Sequence, residues 1–173
     1  VIILGLKKFV LKLLATHATM SVLELFMYIL LSSIFQKNMV YQWIVFAFLV
    51  ALFWFMIYHD SSNFGQNHLK RGMYHPAKGF IAGLIVTIPA FVIYIAALIF
   101  DPLRLLFHLW LSPYIRLFVE YSDLMPHLGL ITAICFPIIS GFSYMDGIRK
   151  RNKVLKAIER KNAMRNELSK RNN

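Results

Sequence analysis

Four long apolar runs dominate the chain, and each is close to the roughly 20 residues a helix needs to cross about 30 Å of hydrocarbon. They cover 13–35, 39–58, 79–100 and 124–145. The first run is interrupted by Glu24, the second carries no ionisable group before Tyr58, and the fourth has His127 near its start. The pattern predicts an all-α, polytopic membrane protein with four transmembrane helices. Only Gln36, Lys37 and Asn38 separate the first two runs. So short a link demands an antiparallel hairpin. Tyr41, Gln42 and Trp43 follow it as interfacial anchors do.

The remaining links differ in charge. Asp60 to Lys78 is polar and holds Lys70, Arg71 and Lys78, whereas Asp101 to Asp123 holds two arginines and three acids. Lys7, Lys8 and Lys12 precede the first run. Cytoplasmic segments carry the excess of Lys and Arg. Both termini and the second link are therefore expected in the cytoplasm, with the first and third links outside. The resulting division is a transmembrane domain, 1–146, and a basic cytoplasmic tail, 147–173, expected to continue the fourth helix and fray near Ser169.

Residues 103–119 are nearly as apolar as a span, but Arg104, His108 and Arg116 interrupt them. Asp101-Pro102 and Ser112-Pro113 read as two helix starts. The expected arrangement is a pair of helices lying in the outer interface. The alternative is a re-entrant hairpin with Ser112-Pro113 at its tip, which needs protein or water around its broken backbone. Arg116 and Glu120, four apart, can pair.

Composition narrows the class. The 173 residues are 58% hydrophobic and only 16% charged. An average soluble domain has roughly 25% charged residues, so a soluble globule, a disordered chain and a disulfide scaffold are excluded. The lone Cys135 sits in an apolar stretch and reads as a small core residue. Net charge is +11, and ten of the nineteen basic residues fall in 149–173. Arg149, Lys150, Arg151, Lys153 and Lys156 are the candidates for docking on anionic headgroups or a partner, at about 1 kcal/mol per basic residue near the surface. Nucleic acid is not the expected partner, because the tail lacks aromatics for stacking on bases. Val1 stands in place of Met, as a trimmed or incomplete chain or a non-AUG start would leave it, and the N-terminal pattern does not read as a signal peptide.

The strongest candidate for chemistry is a stripe on the first helix. His17, Ser21, Glu24, Tyr28 and Ser32 recur at steps of three and four, which places them on one face. A charged carboxylate at the helix centre costs on the order of 2.5 to 3.5 kcal/mol on insertion scales, so neutralising it is the cheaper route. The stripe should face the bundle or a partner chain, either as a proton, ion or substrate site or as glue between helices. On the third helix Gly79, Gly83, Thr87 and Ala90 form a small-residue packing seam. Pro89 and Pro137 are expected to kink their helices.

Other polar groups carry less. His59, Asp60, His68 and His75 match no compact ligand spacing, so no metal is expected. His108, Glu120, Asp123 and His127 cluster on the outer side without a supporting pattern. No phosphate loop, nucleophile elbow or nucleotide fingerprint occurs, and no cofactor is expected.

Asp60-x-x-Asn63, Lys70-Arg71-Gly72, Lys78-Gly79-x-x-x-Gly83-Leu84-Ile85 and Ile88-Pro89 together resemble small four-span membrane proteins of low-GC Gram-positive bacteria. The resemblance covers about a sixth of the chain. It implies a bacterial cytoplasmic membrane and no particular activity. Two functions follow as expectations. One is an accessory or scaffold subunit packing on other membrane chains or on itself; the other is a small oligomeric ion- or proton-coupled transporter or channel using Glu24 and His17. Lipid-active enzyme chemistry is the weakest reading.

Overall fold

The computed structural model describes residues 5–34, 38–100, 102–121 and 125–171, without the side chains of 32, 118, 119, 125–128, 132 and 169–171. The regular structure among the described residues is helical throughout, with no strand: α1 (Leu6–Ile34), α2 (Met39–Lys70), α3 (Lys78–Ile99), α4 (Leu103–Trp110), a 3-10 turn (Ser112–Tyr114), α5 (Ile115–Glu120) and α6 (Met125–Arg171). Four stretches are long and apolar enough to cross a membrane: Leu6–Leu31, Met39–Lys70, Lys78–Ile99 and Gly129–Leu168. The chain therefore has the helices of an integral membrane protein. Of the first predicted link, only Asn38 is described. It caps α2, its side chain accepting from the amides of Val40 and Tyr41, two donors the helix itself cannot satisfy.

The second link is shorter than its polarity suggests. Helix α2 continues through Asp60 to Lys70, leaving only 71–77 between α2 and α3. The polar stretch stays helical because it packs rather than loops. Gly65 lies directly against the carbonyl of Tyr144, and Gly147 against the carbonyl of Ser62. No larger residue allows two backbones so near. The helix stops at Gly72, whose φ of +65° reverses the chain; the amides of Gly72 and Met73 then close onto Leu69 and His68, a glycine-terminated C-cap.

Helix α6 lies between α2 and α3, and α1 packs on both of them. The main core joins Phe9, Leu13 and Met20 of α1 to Phe53 and Ile57 of α2, Ala82 and Val86 of α3, and Phe136, Tyr144 and Ile148 of α6. The predicted seam faces α6. An added Cβ at Gly79 would stand 2.6 Å from Tyr144 Cβ, and one at Gly83 would stand 2.5 Å from Pro137 Cα. Helices α3 and α6 both run through their prolines. Pro137 has no amide hydrogen for the carbonyl of Ala133, four residues earlier. Thr87 Oγ1 reaches that carbonyl from α3 at 3.3 Å and that of Gly83 at 2.9 Å. One seam residue thus answers the backbone defect of the neighbouring helix.

The segment between α3 and α6 turns back into the bundle. Phe107 and Leu111 pack with Ala97 and Tyr114. Ser112, Pro113 and Tyr114 are all buried, against α1 and α2. Arg116 then meets Gln42 and Trp43 at the start of α2. The tip is therefore set beside the middle of α1. Asp101 and Asp123, expected to flank the segment, lie outside the described residues.

The tail is the C-terminal part of α6, with no break at 146. Residues 152–168 are exposed on every side.

Candidate functional site

The stripe on α1 resolves into two parts. His17, Ser21 and Glu24 are buried, Tyr28 is half-buried, and the side chain of Ser32 lies outside the described residues. Two of the buried groups hold the hairpin. His17 Nε2 lies 3.0 Å from the carbonyl of Trp110, and Ser21 Oγ donates to the same oxygen at 3.1 Å. Ser112 Oγ returns a hydrogen bond to the carbonyl of Ser21 at 2.5 Å. The two bonds to Trp110 satisfy broken backbone at the junction of α4 and the 3-10 turn, where no regular helical partner exists.

Glu24 lies one turn further along α1. Its side chain is 0% exposed, and neither carboxyl oxygen has a hydrogen-bond partner among the described residues. Buried polar groups are almost always bonded, so an enclosed carboxyl with no partner calls for an explanation. His17 shows the same feature in part, since its Nδ1 is also buried and unpaired.

His17 sits among aromatic rings: Trp110 at 4.6 Å, Phe53 at 5.3 Å and Phe136 at 5.7 Å between centroids. It lines a small cavity with Trp54, Thr87, Ala90 and Tyr114. The free volume is about 20 Å³, enough for one guest the size of a water molecule.

Towards the start of α1, Thr16 Oγ1 donates to Asp60 Oδ2 at 2.5 Å, and Lys12 Nζ stands 3.6 Å from the same oxygen. The sequence reading missed Thr16, which lies one position off the predicted stripe. His59 lies 3.9 Å from Asp60, but His68 turns to Tyr144 at 3.1 Å and His75 bonds the amide of Ala77. Among the described residues no three His, Cys, Asp or Glu side chains come together as a metal site. On the other side of the bundle Arg116 pairs with Glu120 at 3.3 Å, the spacing the sequence suggested. Burial, and then Arg104, hold His108 below the usual imidazole range. The side chain of His127 lies outside the described residues.

Of the tail candidates, Arg149, Lys150, Lys153 and Lys156 are exposed and Arg151 is half-exposed. Lys150 is engaged within the chain. Its Nζ donates to Tyr58 Oη at 2.6 Å and pairs with Asp146 at 2.9 Å, while Tyr58 donates to the same carboxylate.

No protein-family model, curated protein or solved structure matches the chain. Its chemistry is read from its own residues alone.

Proposed function

We propose that the chain is a small membrane transporter or channel for protons or another small cation. In this reading both termini are cytoplasmic, in a bacterial cytoplasmic membrane, and the α4–α5 hairpin re-enters from the opposite side. The observation that carries the reading is Glu24, wholly enclosed beside the hairpin with both oxygens unpaired. An ionisable residue inside a span is costly, and such residues mark ion and proton pathways. Irregular backbone at membrane depth is tolerated where protein surrounds it or a cavity adjoins it, and both conditions are met at Ser112–Tyr114. Asp60 with Thr16, then His17, Ser21, Glu24 and Tyr28, form a column of polar groups along α1. That column is the proposed route.

The test is flux in proteoliposomes under an imposed gradient. Wild-type protein conducts, and Glu24→Gln, which keeps the shape and loses the charge, conducts at least tenfold less while eluting as the same assembly.

A second reading rests on the tail. A helix exposed on every side over 152–168 suits an accessory subunit that docks on anionic lipid or on another membrane chain. Removing 149–173 and measuring recovery of co-purifying chains tests it. Loss of a stoichiometric partner supports docking, and an unchanged complex counts against it.

A further inference from the structure

We propose that the guest of the cavity around His17 is ammonium, and that this cation is the transported substrate. The inference rests on the transport reading above and names its substrate.

The argument begins with the tautomer of His17. The carbonyl of Trp110 can only accept, so the 3.0 Å contact with Nε2 puts the ring hydrogen on Nε2. Nδ1 then carries a bare lone pair. It is buried without a donor, on a side chain only 5% exposed that lines the cavity. The guest must therefore be a hydrogen-bond donor. Thr87 adds an acceptor, because its single hydrogen is committed to the carbonyls of Gly83 and Ala133. The buried Tyr114 contributes one more oxygen.

The rest of the wall is apolar, with four aromatic rings beside Val86, Ala90, Leu111 and Ala133. Phe53, Trp54, Trp110 and Phe136 surround the space, and ring faces attract cations. The size of the space selects a small one. The space holds a guest of about the size of a water molecule. A bare alkali ion fits by size but requires a shell of several oxygens, as hard cations do, and this wall offers few. Ammonium has four N–H donors, no acceptor and the dimensions of water. A nitrogen lone pair, a hydroxyl oxygen and ring faces are what it can bind.

Trp54 and Trp110 line the space, so occupancy changes their fluorescence. Titrating the purified protein in detergent with ammonium chloride, against sodium and tetramethylammonium chloride at equal ionic strength, reads binding. Concentration jumps on membrane-supported proteoliposomes read charge movement, which passive ammonia does not carry. The expected result is a saturable fluorescence change and an inward current with ammonium alone. Both weaken at least tenfold in Thr87→Val and in His17→Leu, and His17→Gln, whose amide oxygen restores an acceptor, recovers part of each. Should His17→Leu fail to fold, Thr87→Val carries the comparison. Proton flux sensitive to Glu24→Gln without ammonium binding or current overturns the ammonium assignment and leaves the transport reading standing. Absence of all flux overturns both.

Discussion

Ser112 and Ser21 are joined by a hydrogen bond of 2.5 Å across 91 residues of sequence. Ser21 lies about 20 Å along α1 from Ile34, at 1.5 Å per residue, so the bond ties the hairpin tip to the middle of the helix. A hydroxyl on each partner and a carbonyl at Trp110 give the contact a polar centre. That chemistry is worthless against lipid and effective inside protein.

Ser112→Ala removes one buried bond and is expected to cost about 1 kcal/mol. For a chain of this size that lowers the melting temperature by about 2 to 4 °C, measured by circular dichroism in detergent. No change in melting would mean that the tip is held by its apolar neighbours alone.

Gly147→Ala should be more harmful than Gly72→Ala. Gly147 lies against the backbone of Ser62, while the space around Gly72 is open. Alanine at 147 forces α2 and α6 apart at about 1 to 3 kcal/mol; at 72 it meets only the left-handed backbone penalty of about 1 to 2 kcal/mol. Gly65→Ala should behave like Gly147→Ala. Ranking the three melting temperatures checks the order.

Arg116 is buried among Gln42, Glu120 and the ring of Trp43, with its guanidinium 4.9 Å from the ring centroid. Arg116→Met should destabilise by about 1.5 to 3 kcal/mol, the range for bonds to a charged group. Arg116→Lys should recover only part, since an ammonium lacks the planar fork. Equal stability of Lys and Arg at 116 in thermal melts would remove the geometric argument.

Much of α1 and α3 was legible because each signal lies within one helix. The spacing of His17, Ser21 and Glu24 reports a shared face, and Gly79, Gly83 and Thr87 report a close neighbour without naming it. The Gly65–Tyr144 and Gly147–Ser62 approaches were not legible. Asp60 to Lys70 is polar, and polarity beside an apolar run reads as a loop, although small polar residues also let helices touch. Thr16 escaped because its partner, Asp60, lies 44 positions away. The docking of Ser112 on Ser21 escaped for the same reason, with 91 residues between them. Apolar content says that a segment prefers lipid or core, and only contacts such as those of Ser112 distinguish between them.

Topology gives a further test. In a Cys135→Ala background, a cysteine at the exposed Tyr121 should react with an impermeant maleimide added outside intact cells, and one at the exposed Met164 only after lysis. Labelling of both positions from one side would contradict the single membrane crossing by α6 between them.

The most direct measurement is cation flux through the purified protein in liposomes, wild type against Glu24→Gln, with equal reconstitution and the same oligomeric state. The account predicts gradient-driven flux in the wild type and at least a tenfold loss in the variant. Equal flux in both, or none in the wild type, would contradict the claim that the enclosed carboxyl of α1 serves a transport path.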